Sequence, residues 1–189
     1  MTNEIKADYM KKIILQACCA PCSTYPINRL KQDKYIPVVF FCNPNIYPFE
    51  EYEIRRKELK NYCEKLNIEY FESPYDNQEF FDFVQGLEQE PERGKRCTKC
   101  FQLRLEKTAL FALEKNIKYF TTTLTVSPHK NSDVIFEVGR QIAKKYNLEF
   151  LEYNFKKQNG FKISREIAKE NNMYAQNYCG CKFSISKIS

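Results

Sequence analysis

Histidine, glycine and long apolar runs are scarce in this sequence of 189 residues. It contains one histidine and five glycines, so a metal site built mainly from imidazoles is excluded. The turn "CCAPCS" after the first apolar run has no glycine, which excludes an "SGGxDS"-like phosphate loop there. No stretch approaches the roughly 20 consecutive apolar residues that cross a bilayer. We therefore expect no membrane partner.

Signals for export or internal repetition are missing as well. "LQAC" (Leu15–Cys18) is similar to a lipoprotein cleavage site, but the apolar stretch before it is only Ile13–Leu15, against the roughly 7–15 residues that a signal needs. We expect a cytoplasmic protein. In that reducing compartment, an odd count of nine cysteines argues against a disulfide framework.

Length and charge bound the remaining possibilities. We expect a single domain over residues 1–189, since the chain contains no repeat, low-complexity tract or linker and is too short for two ordinary domains. The formal net charge of +6 permits an anionic partner such as nucleic acid without requiring one.

Strand and helix patterns alternate along the chain. The predicted strands are 11–19, 35–42, 68–73, 118–126 and 148–155, and the predicted helices are 24–33, 49–67, 99–116 and 133–147, with a helical and then looped stretch over 77–94. This alternation predicts an α/β fold with three layers, a parallel sheet with helices on both faces.

Three chemically distinctive segments each follow a predicted strand: Cys18–Cys22, "CNPN" (42–45) and "TVSPHK" (125–130). In parallel α/β folds the binding crevice lies beyond the carboxyl ends of the strands. We therefore expect these segments to meet at one edge of the sheet.

The nine cysteines divide into packing residues and candidate ligands. We interpret Cys63, inside a helix, and Cys42, at the end of an apolar strand, as packing residues. The other seven form three clusters: Cys18, Cys19 and Cys22; Cys97 and Cys100; Cys179 and Cys181. Clustered thiols in a reducing compartment indicate metal binding.

The donor set favours zinc or an iron–sulfur cluster. One zinc ion or one 4Fe–4S cluster takes four ligands, which leaves three of the seven thiols for a second metal or redox step. We expect the adjacent Cys18 and Cys19 side chains to diverge and so to reach two different metal atoms. Spacing does not reveal which four thiols would hold a cluster.

Five co-linear motifs give the chain a family resemblance: "CCAPC", "NPNIYP" followed by "EYEIRR", "RCTKCFQLRLEKTA", "TTTLTVSPHK" and "NYCGCKFS". Together, from about Ile14 to Ser184, they resemble the QueH-type epoxyqueuosine reductases. The resemblance implies a nucleotide-α-hydrolase-like (HUP-like) domain. It also implies removal of the epoxide oxygen of epoxyqueuosine at the tRNA wobble position, which yields queuosine.

The same resemblance implies the cofactors and their ligands. A 4Fe–4S cluster and an additional mononuclear iron are expected, without a corrinoid, together with an external one-electron donor. The residues that match the metal-binding cysteines are Cys18, Cys19, Cys97, Cys100, Cys179 and Cys181, and Cys22 is expected at the additional iron. Tyr178 and His129 are the candidate proton donors.

Two other functions stay open on the sequence: an ATP-dependent tRNA thiolation enzyme and a zinc-stabilised RNA-binding module. For a tRNA partner, we predict stacking of an extruded base on Tyr47 or Phe49. The predicted phosphate contacts are Arg55, Arg56, Lys57, Lys95, Arg96, Lys130, Lys156 and Lys157.

Overall fold

Five parallel strands form the centre of the molecule. The computed structural model describes residues 10–185. The strands are β1 (Lys11–Ala17), β2 (Tyr35–Phe41), β3 (Tyr70–Glu72), β4 (Tyr119–Thr122) and β5 (Glu149–Phe150). The helices are α1 (Ala20–Gln32), α2 (Phe49–Lys65), α3 (Asn77–Phe83), α4 (Lys95–Glu114), α5 (Ser132–Tyr146), α6 (Gly160–Glu170) and α7 (Lys182–Ile185), with a 3-10 helix at Thr123–Val126.

The strand order is β3-β2-β1-β4-β5, and every pair is parallel. The winding direction therefore reverses between β1 and β4, and the crevice beyond the ends of these two strands is the expected ligand site. Both Ala17 and Thr122, the last residues of the two strands, are buried there. The predicted three-layer α/β class is confirmed.

Successive side chains of β1 enter opposite layers of the core. Ile13 and Leu15 pack with residues of α1 and α2, whereas Ile14 packs with residues of α4 and α5. Because both faces of the sheet are covered, β2 and the centre of β1 are continuously apolar instead of alternating. Cys63 lies in the first layer and Cys42 in the second, and both are fully buried, which confirms that they pack.

Several predicted boundaries differ from the observed ones. Helix α1 begins at Ala20, four positions before the predicted start at Thr24, because Pro21 occupies the first turn, where its missing N–H costs nothing. The fourth predicted strand ends early because the Thr122 side chain accepts a hydrogen bond from Leu124 N and begins the 3-10 helix. Helix α6 was not predicted at all.

None of the helices within residues 10–185 combines the length and apolar character that a membrane span requires. The predicted domain of 1–189 also includes residues 1–9 and 186–189, which lie outside the described part of the chain. The single-domain organisation therefore stays a prediction.

Candidate metal centre

Three cysteine sulfurs meet at the turn between β1 and α1. The Sγ atoms of Cys18, Cys19 and Cys22 all lie within 4.8 Å of one another, and those of Cys18 and Cys19 are 3.7 Å apart. The expectation that adjacent side chains diverge here was wrong. Strand β1 ends at Ala17 and α1 begins at Ala20, so the alternation of an extended strand does not continue through the pair.

Neighbouring elements hold these sulfurs by hydrogen bonds. The Thr123 hydroxyl, directly after β4, accepts from Cys18 N at 3.3 Å and lies 3.6 Å from Cys18 Sγ, to which it donates. From the C-terminal region, Gln176 Nε2 donates to Cys19 Sγ at 3.1 Å. Thr123 and Gln176 were missed by the sequence analysis; the end of a Thr-rich strand was the available signal for the first.

The three thiols differ in the direction in which their pKa values are shifted. Hydrogen bonds from Cys19 and Cys22 hold the pKa of Cys18 well below its ordinary range. The same bond to Cys18 raises the pKa of Cys19 to about 12, and the pKa of Cys22 is raised chiefly by its bond to Cys18. Cys18 is therefore the preferred thiolate, and a thiolate is the form that binds a metal.

The remaining four candidate ligands line a small adjoining cavity of about 40 Å³. Cys97 and Cys100 come from the first turns of α4, and Cys179 and Cys181 flank Gly180. Burial raises the pKa of Cys97 and of Cys181, and raises that of Cys100 to about 12.

The backbone between Cys179 and Cys181 requires a glycine at position 180. Its φ of +115° is a conformation that other residues rarely adopt, and a Cβ there would lie 2.9 Å from Arg55 Nη1. Tyr47 N donates to the Gly180 carbonyl at 2.8 Å, which attaches the last cysteine pair to the "NPNIYP" loop. A distant segment of the chain is thereby held against the ends of β1 and β2.

A larger cavity of about 410 Å³ adjoins the small one and shares Cys179 with it. Cys18 and Cys22 line the larger cavity. All seven predicted cysteines thus belong to one region, since Cys19 is in contact with Cys18. The sulfurs divide into a group of three and a group of four, a division that spacing alone did not reveal.

Two cationic side chains, Arg104 and Lys130, line both cavities. Arg104 is buried and donates to Asn43 Oδ1 at 2.6 Å, and no carboxylate within residues 10–185 forms an ion pair with it. Burial alone lowers the pKa of Lys130, but the negative charge of Cys179 and Cys18 outweighs burial and raises it. The thiols are therefore the available counter-charge for these cations.

The donor set fits an iron–sulfur group. Seven thiols of soft character meet two uncompensated cations, and such cations favour the net negative charge of a thiolate-bound cluster. Among the described residues, the buried Arg104 Nε and Asn45 Oδ1 at the small cavity have no hydrogen-bond partner. Buried polar atoms normally have one, so the protein alone leaves this cavity unsatisfied.

The two candidate proton donors differ in their surroundings. His129 is exposed at the rim of both cavities, with Nδ1 3.3 Å from Arg93 Nη2. Tyr178 lines the larger cavity and donates its hydroxyl to the Tyr47 carbonyl at 2.5 Å. Burial raises the pKa of Tyr178 to about 12, so this phenol keeps its proton at neutral pH.

Two of the predicted phosphate contacts are wrong. Arg55 is 1% exposed and pairs with Glu51 at 2.6 Å, and Arg96 is 4% exposed and donates to the backbone carbonyls of Leu87 and Glu88. Arg56 and Lys57 pair with Glu53, whereas Lys95 and Lys157 are exposed. The predicted stacking residues Tyr47 and Phe49 are exposed aromatic side chains.

These features define a class of protein: a parallel α/β domain that gathers cysteine thiols, a donor set suited to a metal group, at the carboxyl edge of its sheet. The family model described as "Epoxyqueuosine reductase QueH" matches residues 13–187 of the chain. The chain therefore belongs to the QueH family of epoxyqueuosine reductases.

Curated relatives agree with this membership. "Epoxyqueuosine reductase QueH" of Streptococcus pyogenes serotype M1 is 40% identical over 185 residues, which cover 95% of this chain and 72% of the relative. The protein of the same name from Acinetobacter baylyi is 39% identical over 179 residues, covering 94% and 82%.

The fold has a solved counterpart. The crystal structure of a predicted tRNA methyltransferase subunit from Methanocaldococcus jannaschii is 13% identical and covers 85% of this chain and 76% of its own. Its TM-score of 0.58 shows a shared fold and no more.

Proposed function

We propose that this protein reduces epoxyqueuosine to queuosine at the wobble position of tRNA in the cytoplasm. Two electrons from an external one-electron donor and two protons convert the epoxide to an alkene, and the oxygen leaves as water. Membership of the QueH family supports the reaction. The convergence of seven cysteines on one region, in which six of them line two adjoining cavities, is the observation that carries the chemistry.

We propose a 4Fe–4S cluster and an additional mononuclear iron as cofactors, with no corrinoid. When bound, such a cluster would supply single electrons, and an iron with an open position would supply a Lewis acid for the epoxide oxygen. The four thiols Cys97, Cys100, Cys179 and Cys181 match the ligand number of a cluster, and Cys18, Cys19 and Cys22 match a second metal. This division of the ligands follows from the two groups of sulfurs.

The protein's own residues have defined tasks in this scheme. Thr123 and Gln176 orient the sulfurs of Cys18 and Cys19 through hydrogen bonds. His129, at the rim of the larger cavity, is the first proposed proton donor. Tyr178, whose hydroxyl is held by the Tyr47 carbonyl, is the second candidate.

The thiolation alternative has no support from the chain. A thiolation enzyme that uses ATP needs backbone amides around phosphate, and the β1–α1 turn "CCAPCS" lacks the glycines that allow such a loop. Metal analysis distinguishes the zinc-stabilised module. The reductase proposal requires iron and sulfide in the anaerobically purified protein, whereas a colourless zinc protein would contradict it.

The decisive experiment is anaerobic incubation with epoxyqueuosine-containing tRNA and a strong reductant, followed by nucleoside mass analysis. We expect queuosine to form with the wild-type protein. Cys97→Ser removes a proposed ligand and is expected to lose iron and turnover together, since removing one thiolate leaves the site incomplete.

The matched control is Cys63→Ala, which removes a buried thiol of the core that lines neither cavity. We expect it to keep its iron and its activity per folded molecule. Full activity in Cys97→Ser would contradict the proposed ligand set.

A further inference from the structure

Helix α6 forms one wall of the larger cavity, although none of the five motifs includes it. Phe161, Ser164 and Arg165 face the cavity that Cys18 lines from the β1–α1 turn and Cys22 lines from the first turn of α1. We call these three α6 residues the α6 wall. They lie across the same space as the proposed metal centre.

Close packing on α1 determines where this wall stands. Gly160 begins α6, and a Cβ at this position would collide with the Phe155 carbonyl and the Tyr25 ring. The Thr24 hydroxyl of α1 lies 3.4 Å from the Ser164 carbonyl and donates to it. Because α1 begins at the cysteine turn, this contact places the first turns of α6 beside that turn.

The α6 wall combines an apolar ring with a free cation. Phe161 is 41% exposed, a large apolar surface for a soluble protein to leave at a cavity. Arg165 is exposed, and within residues 10–185 it forms no ion pair or hydrogen bond with another side chain. Of the carboxylates, Glu92 lines this cavity.

Two buried polar atoms in the lining indicate that a ligand completes the cavity. Ser164 is 2% exposed, and its Oγ has no hydrogen-bond partner among the described residues. Gln176 Oε1 is likewise buried without a partner in this part of the chain, because the amide turns its nitrogen toward Cys19 Sγ. Native proteins rarely leave such atoms unsatisfied.

We propose that the α6 wall binds the extruded substrate nucleotide, with Phe161 stacked on its base and Arg165 paired with an adjacent phosphate. This inference rests on the proposed function, since it names how that substrate is held. An aromatic face accepts any base, and a guanidinium pairs with phosphate oxygens in a bidentate geometry. A cavity of about 410 Å³ lies within the 300–1,000 Å³ range of small-molecule sites.

The test uses the iron-loaded protein and two variants, Phe161→Leu and Arg165→Gln. Leucine keeps apolar volume and so keeps the fold, but it cannot stack. We expect Phe161→Leu to raise KM for epoxyqueuosine-containing tRNA about 10-fold. Arg165→Gln is expected to weaken binding and to reduce the salt slope of binding by about one. Iron content and melting temperature should not change.

The matched controls are Lys162→Gln and Leu113→Ala. Lys162 lies between Phe161 and Arg165 on the same helix, with its side chain 75% exposed and outside the cavity lining. Leu113 is an exposed apolar residue of α4. Both controls are expected to behave as wild type. Equal losses in Lys162→Gln and Arg165→Gln would overturn the assignment, because a general charge effect would then explain both.

A second readout does not depend on turnover. An anticodon stem-loop with 2-aminopurine at the wobble position should gain fluorescence when that base leaves the anticodon stack and packs on Phe161. Phe161→Leu should reduce this gain. Wild-type protein that reduces epoxyqueuosine but shows neither the gain nor a KM effect of the variants would overturn the inference and leave the proposed function intact. An inactive wild type that still gives the gain would contradict the function alone.

Discussion

Arg55 joins three parts of the site through one buried side chain. Its guanidinium pairs with Glu51 at 2.6 Å and donates to the carbonyls of Tyr178 and Cys179 at 3.3 Å and 3.4 Å. Glu51 also accepts from the Tyr174 hydroxyl at 2.8 Å. Arg55, which the sequence analysis predicted to be an exposed phosphate contact, therefore holds the last cysteine pair against α2.

Replacing Arg55 should destabilise the fold strongly. In Arg55→Met the Glu51 carboxylate stays buried without its partner, a change that costs about 3–5 kcal/mol in comparable pairs. Urea denaturation would measure the loss. The neighbouring Arg56→Gln is the control, because Arg56 forms more accessible pairs with Glu53 and Glu72 that contribute about 1 kcal/mol or less. Equal losses in the two variants would contradict this account.

His129 carries a second prediction at this scale. If His129 supplies a proton, His129→Phe should slow the reduction about 100-fold while tRNA affinity stays unchanged. Single-turnover rates and equilibrium binding measured on the same iron-loaded sample separate the two effects. A rate equal to that of the wild type would remove His129 from the mechanism and leave Tyr178 as the candidate.

At the scale of elements, close contact decides how α5 meets the edge of the sheet. Gly139 lies in the middle of α5, and a Cβ there would collide with the ring of Phe150 on β5. The ring also packs at 5.2 Å from Phe120, centroid to centroid. Glycine is a poor helix former, but at position 139 it allows the backbone of α5 to approach this aromatic pair.

Gly139→Ala tests this contact. Intrinsic helix propensity alone would make alanine more stable by up to about 1 kcal/mol. The collision with Phe150 should reverse the sign and destabilise the protein by about 1–3 kcal/mol. Adding Phe150→Leu should recover part of the loss, so a double-mutant cycle in urea would show coupling. A stabilised Gly139→Ala protein would contradict this account, because it would mean that Phe150 on β5 can shift away from the new Cβ without cost.

The sequence analysis did not predict helix α6, and the structure gives the reason. The helix has few apolar residues, and its N-cap, Asn159, has a left-handed conformation without a side-chain capping bond. No capping signal was therefore available in the sequence, although Ile163, Ile167 and Ala168 lie on one face at helical spacing and were an available signal. Packing of Gly160 against Tyr25 stabilises this helix from outside its own sequence.

For the molecule as a whole, positive charge is the property that would attract the phosphates of a tRNA partner. The net charge is +6, and several cations around the cavities, among them Arg104, Lys130 and Arg165, have no carboxylate partner in the described part of the chain. Lysine and arginine bind nucleic acid largely by releasing counterions, so affinity depends on salt.

Binding of tRNA should therefore weaken steeply with salt. We expect a slope of log K against log salt of about −3, which corresponds to a roughly 60-fold loss between 50 and 200 mM. Fluorescence anisotropy with labelled tRNA measures it. The variant Arg140→Gln is the control, because Arg140 pairs with Glu137 and Glu152 and should leave the slope unchanged. Salt-independent binding would contradict an electrostatic tRNA surface.

Local patterns in the sequence determined the class of fold and the location of the site. Apolar strands alternating with helices predict a parallel sheet, and the segments Cys18–Cys22, 42–45 and 125–130 follow predicted strands, so the location of the site follows from topology. Packing of Cys42 and Cys63 was readable for the same reason, since each lies within a run of core residues.

Tertiary structure alone decided how the sulfurs are grouped and which charges are buried. Cys18 and Cys19 converge because the chain turns from β1 into α1, and Thr123 and Gln176 reach them from sequence positions more than a hundred residues away. Arg55 and Arg96 are buried because backbone carbonyls and Glu51 surround them, which no local pattern encodes. Contacts between distant segments depend on the complete packing of the chain, and a local reading of residue types does not contain them.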